Sequence, residues 1–118
     1  MTTRPTVALR RASIVRVEIL DPQGRNPKLR PCVVLTLPAQ PKTSVTLVAI
    51  TTTVTGAENE VALPWHQERH PRTGLTRPCV AVCDWLVEAD ADAITQVMGV
   101  VPDQQMLEIL RRVKRLAQ

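Results

Sequence analysis

Aromatic residues are almost missing from this sequence, which has no Phe, no Tyr and two Trp, Trp65 and Trp85. The core of the fold must therefore be aliphatic, since hydrophobic residues still make up 44% of the chain. A surface that binds single-stranded nucleic acid by stacking needs several exposed aromatic rings. The composition argues against such a stacking platform, and any polyanion that this protein binds must be held mainly by arginine.

Long apolar runs and an even number of cysteines are also missing. No run approaches the ~18–20 apolar residues that span a membrane, and the first residues, MTTRPTVALRR, contain no apolar signal-peptide core. Three cysteines leave one unpaired, and free thiols are the default in a chain without a secretion signal. We therefore expect a cytoplasmic protein with no membrane segment, and 118 residues fit one domain.

Positive charge is concentrated in the first half of the chain. Residues 1–50 hold eight Lys or Arg against two Asp or Glu, whereas residues 51–118 hold seven against nine. Twelve of the fifteen cations are Arg, whose planar guanidinium pairs with two phosphate oxygens as Lys cannot. A basic half rich in arginine is typical of a protein with a polyanionic partner, although solubility and surface ion pairing account for the charge equally well.

Hydrophobic periodicity predicts five strands and one short extended segment. Val15, Val17 and Ile19 alternate with polar residues in the first strand, and the third is rich in β-branched residues. The predicted strands cover residues 13–20, 32–37, 45–54, 79–87 and 97–101, with the extended segment at 60–63. Prolines and glycines predict loops at 21–31 and 64–78, and a break at 38–42.

The hydrophobic period changes near the C-terminus. Apolar residues at 106, 109, 110, 113 and 116 share one face of a helix. Pro102 suits the first turn of that helix, and Asp103 suits the positive end of its dipole. Strands followed by one amphipathic helix indicate an α+β domain over residues 12–118, preceded by a flexible arm at 1–11. We expect a small curled β-barrel with the helix packed on it.

Six short motifs, in this order, resemble the MazF/PemK family of toxins from type II toxin–antitoxin systems. SIV at 13–15 resembles the family's Gly-Asp-Ile-Val strand, DPQG at 21–24 its Asp-Pro loop with Gly, and RPCVVL at 30–35 its Arg-Pro before an apolar strand. AITT at 49–52 resembles its Pro-Ile-Thr-Ser strand end, VAVCDW at 80–85 its Val-x-x-Asp-Gln element, and GVV at 99–101 its closing Gly-Val strand. The resemblance covers residues 11–117 and implies an SH3-like, CcdB/PemK-type barrel.

The resemblance also implies a function. It predicts a homodimeric endoribonuclease that cuts single-stranded RNA without a metal or other cofactor, and that a cognate antitoxin inhibits. The family's functional Arg and Thr fall on Arg30 and Thr51, and Asp84 lies where some members have a functional aspartate. The departures from the family are Ala49 in place of Pro, Val82 in place of the Arg of some members, and Trp85 in place of Gln. The Asp-Pro loop also lacks the family's usual Glu and has Arg25-Asn26 instead.

Metal-free RNA cleavage uses the 2′-hydroxyl as an internal nucleophile, and the protein must stabilise a phosphorane with two negative charges. Arg30 is a candidate for that task, because its guanidinium matches two phosphate oxygens and is too weak an acid to transfer the proton. Thr51 either donates its hydroxyl to a non-bridging oxygen or is an ordinary strand residue. Asp84, between apolar residues, is either a desolvated base or the structural partner of an arginine. The residues expected to bind RNA around them are Arg25, Lys28, Thr52, His66 and Arg72.

A zinc site is the main rival chemistry, since His66, His70, Cys79 and Cys83 supply the four ligands that such a site needs. Cys79 and Cys83 fall in one predicted strand, where four residues span ~13 Å. Two ligands of one zinc ion lie within ~4 Å of each other. We therefore expect no metal site.

Two other functions stay open. A non-catalytic nucleic-acid-binding module on the same small barrel explains the basic half equally well, and an RNA cleavage assay distinguishes it. A gyrase poison belongs to a related toxin class on this fold. Those toxins end in a functional C-terminal Trp, however, whereas this sequence ends in Leu-Ala-Gln.

Overall fold

A computed structural model of the chain describes residues 9–36 and 44–117. Its elements, in chain order, are β1 (Ser13–Ile19), β2 (Lys28–Thr36), β3 (Ser44–Thr51), β4 (Glu60–Ala62), β5 (Val80–Asp90), a 3-10 turn (Ala91–Ala93), β6 (Gln96–Val100) and α1 (Asp103–Leu116). The predicted break at 38–42 and most of the predicted arm at 1–11 lie outside the described residues. The α+β class is confirmed.

All six strands belong to one sheet with the order β4-β5-β3-β2-β1-β6, and every neighbouring pair is antiparallel. Within the described ranges the two edge strands, β4 and β6, do not pair with each other, so the sheet is open. The closure expected of a barrel is therefore not seen in this part of the chain.

Strand β2 begins at Lys28, inside the region that its prolines predict to be a loop. Its first residues pair with β1, with Lys28 opposite Ile19 and Arg30 opposite Val17. The pairing of β2 with β3 starts only at Cys32. Pro31 therefore lies beyond that second ladder, where a missing N–H is tolerated.

Buried apolar residues form two clusters, one on each face of the sheet. The first cluster contains Ile14 and Val33, and α1 covers it with Met106 and Ile109. The second cluster contains the residues that alternate with these along the strands, among them Val15, Val17, Cys32, Val34 and Leu47. Burial on both faces explains why β2 and β3 contain continuous apolar runs where a half-exposed strand would alternate.

Strand β5 contributes to both clusters because its register against β3 shifts in the middle. Val48 of β3 pairs with Leu86 of β5, and Ile50 of β3 pairs with Ala81 of β5. These two pairs are two residues apart on β3 but five residues apart on β5. Strand β5 therefore contains three extra residues, and an odd number moves the following side chains to the opposite face. Ala81 accordingly lies in the first cluster, and Trp85 packs against the second.

Both edges of the sheet are covered by other parts of the chain. On β4, the guanidinium of Arg112 in α1 donates to the carbonyl oxygen of Glu60 at 2.6 Å and to that of Glu58 at 2.9 Å. On β6, the N–H of Val100 donates to the carbonyl oxygen of Arg72 at 2.7 Å. These contacts use backbone groups that would otherwise be open to pairing with another chain.

The C-terminal helix forms as its periodicity predicts, and it buries Met106 and Ile109. Pro102 is the residue before the first turn, in an extended conformation, and its carbonyl oxygen accepts from the N–H of Met106 at 2.9 Å. Among the helices of the described residues, none is long and apolar enough to cross a membrane.

Close packing of the 64–79 loop against β6 depends on Gly99. A Cβ atom at this position would clash with the carbonyl groups of Arg72 and Thr73, which are backbone atoms. We expect Gly99→Ala to lower the free energy of unfolding by about 3 kcal/mol, the upper end of the usual overpacking cost. Urea unfolding measures this. Gly24→Ala is the control, because Gly24 has positive φ and open space, so it should cost only about 1 kcal/mol. Equal losses in the two variants would contradict the packing argument.

Candidate functional site

A basic cavity opens where β2 and β3 separate. It has a volume of about 290 Å³ and is lined by four cations and by three threonines. The cations are Arg16, Lys28, Arg30 and Arg77, and the threonines are Thr51, Thr52 and Thr76. No carboxylate and no imidazole is among the lining residues that the structure describes. The cavity therefore combines net positive charge with hydroxyl donors, which suits an anion.

The register of the sheet brings Arg30 and Thr51 to this cavity. The last pair between β2 and β3 on this side is Cys32 opposite Ala49. Arg30 comes two residues before Cys32, and Thr51 comes two residues after Ala49. Because the strands are antiparallel, Arg30 and Thr51 lie at the same level, past the end of the ladder. The two residues that the resemblance singled out thus line one cavity, although 21 positions separate them in the sequence.

The side chain of Arg30 has no acceptor within the described parts of the chain. Its Nε atom is buried and has no hydrogen-bond partner. Its Cζ atom lies 5.3 Å from the centre of the Trp85 ring, which is a cation–π contact. No described carboxylate forms a hydrogen bond or ion pair with this guanidinium, although its charge helps to lower the pKa of Asp21. Its N–H donors therefore remain available to a ligand.

The family of the chain follows from a comparison with known sequences. A profile of the family described as PemK-like, MazF-like toxin of type II toxin–antitoxin system matches residues 10–117. The chain belongs to this toxin family. A comparison with curated protein sequences finds no match.

Solved structures of PemK/MazF toxins share the fold. The Mycobacterium tuberculosis toxin MazF-mt6 is 25% identical, with a TM-score of 0.64 over 86% of this chain and 93% of that one. An endoribonuclease in complex with its cognate antitoxin from a mycobacterial species is 20% identical, with a TM-score of 0.70 over 93% of this chain and 95% of that one. MazF in a MazE–MazF complex from Deinococcus radiodurans is 18% identical, with a TM-score of 0.69 over 95% of this chain and 97% of that one.

Thr51 ends β3 with its side chain bonded back to the loop. Its Oγ1 accepts a hydrogen bond from the N–H of Thr53 at 3.1 Å. Acceptance uses a lone pair of the hydroxyl oxygen and leaves its hydrogen free to donate. Within the described residues, Thr51 therefore has a fixed oxygen position and an available donor in the cavity that Arg30 also lines.

Arg16 and Arg77 line the cavity but were not among the residues expected from the sequence. Arg16 lies on β1 opposite Pro31, and its Nε is buried without a hydrogen-bond partner among the described residues. Arg16 lies in an apolar strand, on the same face as Ile14. This is the signal that could have identified it, because burying a charged side chain is costly and is rarely seen without a compensating role. Arg77 gives no such signal, since it lies in a polar loop that only the fold brings to the cavity.

Asp84 lies outside the cavity lining. Its side chain is exposed, and its Oδ1 accepts from Nδ2 of Asn59 at 2.7 Å. Asp84 is thus exposed and, among the described residues, bonds to Asn59 and not to an arginine, and its functional role stays a prediction. Asp84 instead belongs to the shifted part of β5, where the N–H of Cys83 donates to the carbonyl oxygen of Asn59 at 2.7 Å.

Of the five residues expected to bind RNA, Lys28 and Thr52 line the cavity and three others do not. Arg25 lies in the β1–β2 loop, where its backbone N–H donates to the carboxyl of Asp21 at 2.8 Å. This bond, together with the bonds from Asn26 and Gln23, lowers the pKa of Asp21. His66 is exposed in the 64–79 loop, and its Nδ1 accepts from a backbone N–H at 3.1 Å. The third, Arg72, is also exposed in this loop.

A larger opening between α1 and β4 has a different character. It measures about 600 Å³ and includes Arg112 and Arg115. Arg112 is already bonded to Glu108 at 2.9 Å, and Arg115 to Glu58 at 2.9 Å. Because these cations have carboxylate partners, this opening offers an anion much less than the smaller cavity does.

The three cysteines are free and buried. Burial is the main cause that raises the pKa of Cys32 to about 12 and the pKa values of Cys79 and Cys83 to about 11, from an ordinary 9.0. Cys79 lines the cavity, but at neutral pH it is a neutral thiol and a poor nucleophile. In the described residues, no group of three or more His, Cys, Asp or Glu could hold a metal ion.

The raised thiol pKa values predict a loss of stability in alkali. Above pH 9 the unfolded chain releases thiol protons that the folded chain keeps until about pH 11. The free energy of unfolding should therefore fall between pH 9 and 11, by at most about 1.4 kcal/mol per thiol per pH unit. Urea unfolding at pH 8 and pH 10 measures this, and the absence of Tyr removes one of the other groups that titrate in this range. Cys79→Ala should show a smaller fall. A flat profile would show that the thiols ionise equally in both states.

Proposed function

We propose that this toxin is a metal-independent endoribonuclease that cleaves single-stranded RNA by 2′-hydroxyl attack. The observation that carries the proposal is the basic cavity, which Arg30 and Thr51 both line and where no described carboxylate bonds to Arg30. An anion-binding cavity with uncommitted donors is what a reaction with a doubly charged phosphorane requires. Membership of the PemK/MazF family supports the same conclusion.

The reaction needs no group that the cavity lacks. The 2′-oxygen forms a bond to the adjacent phosphorus, the bond from phosphorus to the 5′-oxygen breaks, and the products are a 2′,3′-cyclic phosphate and a 5′-hydroxyl. The proton that leaves the 2′-hydroxyl and the proton that the 5′-oxygen gains can exchange with water. The described lining contributes charge and hydrogen bonds, which stabilise the two negative charges of the phosphorane.

The candidate residues have distinct roles in this scheme. Arg30 donates two N–H bonds to the phosphorane oxygens, and Thr51 donates its hydroxyl to one of them. Lys28, Thr52 and Arg16 bind the neighbouring phosphates. Arg25, His66, Arg72 and Arg77 are proposed to contact the RNA further along the chain. Asp84 is exposed on β5 and does not line the cavity. Its proposed contribution is limited to the hydrogen bond that it accepts from Asn59.

Two partners complete the proposal. Structural neighbours of this chain were solved as complexes with an antitoxin, and we propose that a cognate antitoxin likewise inhibits this toxin by occupying the basic cavity. We also propose a homodimer and a site of action in the cytoplasm, where mRNA is translated. Light scattering at tens of micromolar protein should give the mass of two 13.1 kDa chains. A monomer mass would contradict the dimer.

A non-catalytic RNA-binding module is the second candidate. The observation in its favour is the lack of a carboxylate or imidazole among the described lining residues, since general acid–base groups commonly add to catalysis. The same cavity would then bind RNA without cutting it. The two candidates differ in one result, which is whether purified protein produces fragments with a 2′,3′-cyclic phosphate.

Replacement of Arg30 should reduce cleavage more than stability. We expect Arg30→Ala to lower the single-turnover rate by ~10²–10³-fold, as is typical for the loss of one transition-state donor. Arg30→Lys should recover little, because a point charge cannot make the paired bonds. The control is Arg111→Ala, since Arg111 is exposed on α1 and is not among the residues that line the cavity. Wild-type cleavage by folded Arg30→Ala would remove Arg30 from the mechanism, and an equal loss in Arg111→Ala would point to non-specific charge.

Removal of metal ions should leave cleavage intact. The nucleophile is part of the substrate, and arginine supplies the positive charge, so no bound metal is required. The rate measured after dialysis against EDTA should match the untreated rate, and an RNA with a 2′-deoxy sugar at the scissile position should resist cleavage in both samples. Activity that EDTA abolishes and zinc restores would overturn this mechanism.

A further inference from the structure

Trp85 occupies a position that links the fold to Arg30. It is the last residue of the shifted segment of β5, next to Leu86, where pairing with β3 resumes, and its half-buried ring packs against the second cluster. Strand β3 separates β5 from β2 in the sheet. The β3 residue between them in the second cluster is Ala49, which pairs with Cys32 of β2. The small side chain of Ala49 leaves the space through which the indole ring reaches Arg30.

The contact of the Trp85 ring with the Arg30 guanidinium compensates for the lost solvation of Arg30. A guanidinium with a buried Nε and no described acceptor loses solvation, and a buried charge is costly without a compensating interaction. A carboxylate would supply that interaction but would also neutralise the charge and use the N–H donors. The face of an aromatic ring attracts the cation through its quadrupole and leaves the donors in the guanidinium plane unused.

We propose that Trp85 is a positioning residue that holds the Arg30 guanidinium by stacking and leaves its N–H groups directed at a phosphate of the RNA. The proposal rests on the proposed function, since it assumes that Arg30 binds the scissile phosphate. It goes beyond the resemblance to the family, because the family usually has Gln at this position. Trp85 acts through Arg30 and needs no contact with the RNA.

The first test separates positioning from structure. We expect Trp85→Leu to lower the single-turnover cleavage rate at saturating RNA about tenfold, within the range of a cation–π contact, with the half-saturating RNA concentration nearly unchanged. Trp85→Phe should recover most of the rate, because it keeps an aromatic face. Val87→Ala is the matched control, since Val87 packs against the same cluster from the same strand. Equal losses of rate and melting temperature in Trp85→Leu, Trp85→Phe and Val87→Ala would overturn the proposal in favour of a packing role.

The second test is the dependence on Arg30. If Trp85 acts only through this arginine, Trp85→Leu should have little further effect on the rate in an Arg30→Ala background. Independent contributions would multiply, and the double variant would then be about ten times slower than Arg30→Ala alone. That result would show that Trp85 acts by another route.

The third test does not depend on cleavage. In a Trp65→Phe background, Trp85 is the only tryptophan, so its fluorescence reports the stack. Arg30→Ala should change the emission of Trp85, whereas Arg111→Ala should not. Emission that is the same in all three proteins would overturn the stack itself. If the protein cleaves no RNA but Arg30→Ala still changes the emission, the proposed function has failed and the Arg30–Trp85 contact stands.

Discussion

The three-residue shift in the pairing of β5 with β3 is the feature on which the site depends. At its start and within the shifted segment, β5 contributes Ala81 and Cys83 to the cluster under the helix, and at the end of that segment it contributes Trp85 to the opposite face. A continuous register would leave all of these side chains on one face. The shift thus lets one strand complete the packing under α1 and also place an aromatic ring against Arg30.

A second constraint is the charge of the cavity. Four cations line it, two of them have a buried Nε without a partner, and no described lining residue carries negative charge. Such an arrangement lowers stability, because like charges repel and buried donors are left without acceptors. Its persistence is understandable if a polyanion supplies the acceptors. The paired arginines beside α1 show that this chain forms ordinary ion pairs where it needs them.

Local patterns in the sequence predict most of the elements, while the site depends on features that no local pattern shows. β1 and α1 follow from periods of two and 3.6 residues, which are properties of short windows. Arg30 and Thr51 are found through motifs, and the structure places them in one cavity. Arg16 and Arg77 are missed because their approach to the cavity depends on how β1 and the 64–79 loop fold. The exposure of Asp84 is not predicted because the sequence of β5 gives no sign of the register shift.

The central claim is that the cavity binds an RNA phosphate through Arg30. A crystal structure of the toxin with a short 2′-O-methyl RNA, which lacks the nucleophile, tests this directly. The account predicts a phosphate in the cavity, with non-bridging oxygens at ~3 Å from the guanidinium nitrogens of Arg30 and from the Thr51 hydroxyl. RNA bound on another surface, with Arg30 still stacked on Trp85 and no phosphate in the cavity, would contradict it.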